Sequence, residues 1–183
     1  MDQFIDIGAN CGYYTFQLAS IGKVVHAFEL NPEAIFKLKK TLDKHPSLMR
    51  LISLHVLGLS DVTRACHISS PIKHGYAQTG GTNVIKSHKK PRNRLKRIAH
   101  LTTGDAALDY ENTSLAIKID VEGHEPNILR GMKKILQDNS CILMIEALSV
   151  KMKVKIDDIL SPLGYKEIDS VPTTYNYFYS NFK

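Results

Sequence analysis

Apolar residues in this chain fall into short unbroken runs separated by stretches with helical spacing, the alternation that builds a parallel sheet covered by helices. Residues 3–7 form an apolar run that ends in a glycine turn, and residues 13–20 carry a helical pattern closed by Gly22. Residues 24–30 read as a second strand, after which Asn31 and Pro32 supply the N-cap and first-turn proline of a helix reaching about residue 44. Residues 51–57, 115–120 and 141–146 read as the third, fourth and fifth strands, each suited to a sheet covered on both faces. A helix over 125–137 places Ile128, Leu129, Met132, Ile135 and Leu136 on one buried stripe. A helix over 151–160 leads to a sixth strand starting at Gly164 and Tyr165, and residues 174–182 alternate as a last strand joined to it in a hairpin at Val171-Pro172. The pattern predicts an α/β fold with a doubly wound, Rossmann-like sheet, mostly parallel, with an insertion of loops and short strands over about 62–104.

In such a sheet the first and fourth strands are neighbours, and ligands bind beyond the strand tips where the winding reverses. The glycine turn after the first strand and the acid Glu29 at the tip of the second then mark a nucleoside site. A dinucleotide fingerprint needs glycines at positions 10 and 13 after Gly8, where this chain has Asn10 and Tyr13. Asp6 stands two residues before the turn, where its charge opposes a diphosphate but suits the ammonium of a methionine moiety, directly or through water. The residue types therefore favour S-adenosylmethionine, with Glu29 accepting both ribose hydroxyls. Asp6 and Asp120 are expected side by side at the crevice, with Asp120-Val121-Glu122-Gly123-His124-Glu125 leaving the fourth strand there.

With the opening Asp6-Ile7-Gly8-Ala9-Asn10-Cys11-Gly12-Tyr13-Tyr14-Thr15 and the segment Lys118-Ile119-Asp120-Val121-Glu122-Gly123-His124-Glu125, the chain resembles the FkbM-type methyltransferases, from Phe4 to about Ala147. Members of that family carry further residues before the first strand, whereas this strand starts almost at Met1. The resemblance implies an S-adenosylmethionine-dependent methyltransferase with an antiparallel last strand, transferring a methyl group to a hydroxyl of a sugar, glycan or secondary metabolite. It implies cofactor contacts from Asp6, Gly8, Ala9, Asn10, Gly12, Tyr14, Thr15, Glu29, Leu30, Asn31 and Asp120, and adenine contacts from Leu59, Ser60 and Asp61. A Gly80-Gly81-Thr82-Asn83 turn is similar to one in the family that approaches the cofactor. Methyl transfer to an alcohol is helped by a base, for which His124 suits neutral pH, with Asp120 and Glu122 as the alternatives. Either carboxylate could instead bind sugar hydroxyls or, with Glu146, a divalent ion, although no metal is predicted.

At 183 residues, 43% apolar and 23% charged, the chain fits one domain, residues 1–183. No apolar run reaches the roughly 18 residues of a membrane span, no leader precedes the first strand, and Cys11, Cys66 and Cys141 form no pairing pattern, so the expected location is cytoplasmic. The net charge of +6 is localised: residues 86–97 hold seven Lys and Arg and no acid, leaving 17 Lys and Arg against 18 Asp and Glu elsewhere. That segment reads as a solvated loop or as a collector for an acidic acceptor or nucleic acid. A nucleic-acid methyltransferase is the alternative enzyme, although the chain has no Asn-Pro-Pro-Tyr or Asp-Pro-Pro-Tyr site and no aromatic residues among those charges. A non-catalytic module that binds cofactor or a partner is the third reading.

Overall fold

The structure is a computed structural model, which describes residues 1, 3–85 and 93–182. The chain runs through β1 (Gln3–Ile7), α1 (Tyr13–Ser20), β2 (Val24–Phe28), α2 (Pro32–Lys44), β3 (Ile52–His55) and β4 (Gly58–Leu59). It continues with β5 (Arg64–Lys73), β6 (Tyr76–Ala77), β7 (Asn83–Val84), β8 (Arg94–Thr102) and α3 (Gly104–Ala107). The remainder is β9 (Ser114–Ile119), α4 (Glu125–Arg130), α5 (Lys133–Asp138), β10 (Ser140–Glu146), α6 (Val150–Leu160), β11 (Lys166–Val171) and β12 (Asn176–Ser180).

Seven strands form the main sheet in the order β11-β12-β10-β9-β1-β2-β3. The five from β10 to β3 are parallel, and β12 lies antiparallel between β10 and β11. The hairpin read from the alternation at the chain's end therefore closes the sheet. β1 and β9 are buried along nearly their whole length, and their isoleucines Ile5, Ile7, Ile117 and Ile119 form the centre of the larger core with Leu129, Leu143 and Ile145. β10 alternates instead, with Cys141, Leu143 and Ile145 buried and the residues between them half-buried. A second core, around Phe4, Val25, Ala27 and Leu38, lies under α1 and α2.

One expectation changes. The helix over 125–137 is two helices, α4 and α5, although every apolar residue of its stripe is buried. The cause is Gly131: a Cβ there would lie 1.8 Å from the Ser60 carbonyl oxygen, so the backbones touch and the helix is interrupted to allow it. The insertion is the expected loop and hairpin unit: among its described residues β5 and β8 pair antiparallel over eight residues as the spine of a second sheet, β4-β8-β5-β6, with β7 on β5.

Where β2 meets β3, His26 Nδ1 lies 3.0 Å from His55 Nε2, Tyr110 Oη lies 2.9 Å from His26 Nε2, and His55 stacks on Phe28 with centroids 4.2 Å apart. Burial pushes both imidazole pKa values below their ordinary range, and for His55 the neighbouring His26 adds to the effect. The folded state thus favours neutral rings, the unfolded chain binds protons first on acidification, and stability is lost as pH falls through about 6.5. Urea midpoints between pH 7.5 and 5.5 are expected to fall, with a shallower slope in His55→Phe; identical slopes would exclude this pair as the cause.

Candidate active site

The chain leaves β1 through Gly8 (φ 80°), Asn10 (φ 51°) and Gly12 (φ 89°), three left-handed positions in five residues. A side chain at Gly8 would put its Cβ 2.0 Å from the Asp120 carbonyl oxygen, so glycine lets the first loop touch the tip of β9. The Gly8 and Ala9 amides both donate to the Phe28 carbonyl at 3.0 Å. This coil aims the Asn10 amide at Glu29 Oε2 (2.8 Å), while Glu29 Oε1 accepts from the Leu30 (2.9 Å) and Asn31 (2.7 Å) amides. Burial raises the Glu29 pKa, and these three amides and the Lys118 charge pull it back down. Glu29 is thereby fixed just beyond the tip of β2, on the wall of a cavity of about 220 Å³.

Glycine-turn residues Gly8 and Asn10 line this cavity, as do the apolar Leu30, Leu59, Val84 and Leu101. Asp120, Glu122, His124 and Glu146 line it too. Four carboxylates face the space and no Lys or Arg does, among the described residues. Burial, with the charges of Asp120, Glu122 and Glu125, pushes the Glu146 carboxyl up to about 7. Glu146 owes its place to the end of a core strand, the one sequence signal that marks it.

Asp6 stands outside the cavity lining. The β1–β9 register sets it opposite Lys118, whose ammonium reaches Gly8 O (2.7 Å), Asp6 Oδ1 (3.5 Å) and Asp120 Oδ2 (3.4 Å). Asp6 is fully buried and also accepts from Thr15 Oγ1 at 2.6 Å, so Asp6 and Thr15 lie behind the cavity wall with their polar atoms turned to each other and to Lys118. Asp6 and Asp120 are neighbours through that lysine. Ala9 is buried in the second core, Tyr14 packs against it, and Gly12 adjoins Phe16; these three stand outside the lining.

Beyond β9, Glu122 takes a left-handed conformation (φ 56°) ahead of Gly123 (φ 95°). The turn is braced by Glu125, whose Oε1 accepts from the Gly123 amide at 3.0 Å. His124 is 6% exposed, with Nε2 2.9 Å from Ser60 Oγ. Ser60 and Asp61 lie behind it: Asp61 accepts from Ser60 Oγ (3.0 Å) and Asn127 Nδ2 (2.9 Å), and of the expected adenine contacts only Leu59 faces the cavity.

The second sheet supplies the cover, and residues 79–82 line the cavity, a contribution with no periodic signal in the sequence. Asn31 is fully buried outside the lining and anchors that turn: its Nδ2 donates to Gln78 O (2.9 Å), Thr79 O (2.9 Å) and Thr82 Oγ1 (2.8 Å), while Oδ1 caps α2 at the Glu33 amide. Glu122 Oε1 accepts from the Gly81 amide at 2.9 Å, and Arg94 donates to Ser69 O and Gly81 O. Arg97 pairs with Glu33. Two of the seven basic residues thus hold the fold together, Lys96 is exposed, and Lys86, Lys89, Lys90 and Arg92 lie outside the described residues. Replacing Asn31 with Asp retains the cap but removes the two N–H donors that these three acceptors share, with an expected stability loss of about 2 kcal/mol or more. A urea midpoint unchanged from the native protein would show that the turn is held otherwise.

Among the described residues no three His, Cys, Asp or Glu are grouped to hold a metal ion. No described helix is long and apolar enough to cross a membrane.

A parallel sheet extended by one antiparallel strand beside its last, with a glycine turn after β1 and an acid beyond β2, defines the Rossmann-like methyltransferase class. The model of the methyltransferase FkbM domain matches residues 6–167, and the chain belongs to that family. Its fold is similar to methyltransferase FkbM from Methylobacillus flagellatus KT (TM-score 0.68, 19% identity), over 98% of this chain and 43% of that one. The chain therefore spans under half the length of that relative. It is also similar to a SAM-dependent O-methyltransferase from Thermotoga maritima (TM-score 0.54, 14% identity, 98% and 58% covered). Magnesium protoporphyrin IX methyltransferase from Synechocystis PCC 6803, solved with bound SAM, is a third (TM-score 0.53, 11% identity, 97% and 67% covered). No curated protein matches the chain.

Proposed function

We propose that residues 1–183 act as one domain, in the cytoplasm, transferring the methyl group of S-adenosylmethionine to a hydroxyl of a sugar, glycan or secondary metabolite. The observation that carries this is the cavity lined by Glu29, Asp120, Glu122 and Glu146 without a Lys or Arg. Such a wall attracts a sulfonium and repels the two phosphates of a nicotinamide dinucleotide. The residues fit the nucleoside as well. Glu29 presents a carboxylate held by three amides, with acceptor capacity left for ribose hydroxyls. Leu30, Leu59 and Leu101 give an apolar lining suited to adenine, and the Gly8 to Gly12 turn offers backbone to the amino-acid end.

S-adenosylmethionine supplies an activated methyl group. The chain's own contribution is to align the acceptor, exclude water beneath the 79–82 turn and take up a proton. Asp120, Glu122 and His124 stand at the acceptor end of this reading. The same acidic wall makes a neutral polyhydroxyl acceptor fit better than a phosphorylated or carboxylated one. Calorimetry with S-adenosylmethionine, S-adenosylhomocysteine and NAD tests the cofactor: the first two are expected to bind and NAD not to, and NAD binding alone would end the proposal. A screen of labelled methyl transfer to neutral and anionic glycan fractions tests the acceptor, with label expected in the neutral fraction.

A further inference from the structure

The register that pairs Ile119 with Ile145 brings β9 and β10 to their ends at the same level, so Asp120 and Glu146 leave adjacent strands side by side and both line the cavity. Glu146 is held in place from its other side, where β12 runs antiparallel with Asn176 opposite it and the Ala147 amide donates to Tyr175 O at 2.8 Å. The two carboxyl groups do not have equal surroundings. Asp120 has the Lys118 ammonium at 3.4 Å, which stabilises its negative charge. Glu146 faces Asp120, Glu122 and Glu125 and receives no described cation of its own. Two carboxyl groups at neighbouring strand ends, one of them beside a cation, cannot both ionise cheaply.

We propose that Asp120 and Glu146 share one proton in the free protein, surrender it when a sulfonium enters the cavity, and that Glu146 then takes the acceptor's hydroxyl proton as the methyl group is transferred. The inference rests on the S-adenosylmethionine reading and deepens it. In the transfer the acceptor oxygen forms a bond to the methyl carbon, the carbon–sulfur bond breaks with its electron pair going to sulfur, and the hydroxyl proton passes to the Glu146 carboxylate. Charge is conserved: the positive sulfonium is lost as the pair's extra negative charge is neutralised. His124 sits deeper than this pair, with its Nε2 at Ser60, and in this assignment shapes the wall.

The groups around Glu146 bear on any pH dependence: Lys118 and Asp120 from β9 and its tip, Glu122 and His124 from the following turn, Glu125 from α4, and Tyr177 beside Asn176 on β12. A positive charge within about 4–6 Å lowers a carboxyl pKa by roughly 1–3. With Glu146 near 7, a half-occupied proton is then expelled at pH 7. A neutral thioether exerts no such pull.

The test needs no acceptor. Calorimetry at pH 7 in phosphate and in Tris, whose ionisation enthalpies differ, counts protons exchanged on binding. S-adenosylmethionine is expected to release about half a proton and S-adenosylhomocysteine essentially none, so that product binding leaves the pair protonated. Glu146→Gln should melt at the native temperature, showing an intact fold, and still bind S-adenosylmethionine, while its proton release on that binding drops to near zero. Should that variant fail to fold, Asp120→Asn removes the other half of the pair and is expected to abolish release as well. Binding of both ligands with equal proton release in native and variant proteins would overturn this inference and leave the cofactor reading standing. Failure of both ligands to bind native protein would overturn both.

Discussion

Glu29→Gln is expected to weaken S-adenosylmethionine binding by about 100-fold, equivalent to about 2.7 kcal/mol. The native carboxylate accepts from three backbone amides, one on Oε2 and two on Oε1, in a site that is 8% exposed. An amide side chain must turn its NH2 toward one of those N–H groups, so a donor meets a donor in a buried place and either the loop or the side chain moves away. The coil from Gly8 to Asn10 is what that carboxylate organises, so the ribose acceptor and the first loop are lost together. Calorimetry reads the affinity, and thermal melting separates it from unfolding. Affinity within threefold of native would mean that Glu29 serves the fold and not the nucleoside.

Gly131→Ala should be the more damaging change to stability, although it adds only one methyl group. The added Cβ falls 1.8 Å from Ser60 O, 2.8 Å from Ser60 C and 3.1 Å from Asp61 Cα, all backbone atoms that cannot rotate away. Relief requires separating the α4–α5 junction from the segment after Leu59, with an expected cost of about 3–5 kcal/mol. The same movement displaces Ser60 from His124. Gly22→Ala is the control: its φ of 85° disfavours a side chain, but nothing lies within 4 Å, so the cost should be about 1–2 kcal/mol. Urea denaturation of the two variants checks the contrast, and equal losses would show that the Gly131 contact yields at little cost.

Local signals carried the elements whose ends are locally determined. α1 and β1 have the expected bounds, and α2 begins at Pro32 with Asn31 as its cap because capping chemistry lies within a few residues. The α4–α5 interruption was not legible, since Gly131 breaks the helix through contact with Ser60, distant in sequence. Asp6 shows the same limit within the site. Its neighbour Lys118 could not be read from the sequence, since strand register alone brings that ammonium to it. Arg94 and Arg97 read as part of a solvated charge run, yet their partners, the Ser69 and Gly81 carbonyls and Glu33, come from elements brought together only by folding. The Gly80-Gly81-Thr82 part of the cover was legible only through the family resemblance, because its position depends on Asn31, a residue whose visible task in the sequence was to start a helix.

The central claim is that the acid-walled cavity at the tips of β1, β2, β9 and β10 holds a methionine-derived nucleoside. A crystal structure of the complex with S-adenosylhomocysteine tests it most directly. The predicted result is ribose hydroxyls on the Glu29 carboxylate, adenine between Leu30 and Leu59, and sulfur facing Asp120 and Glu146. A ligand bound elsewhere, with no contact to Glu29, would contradict the account.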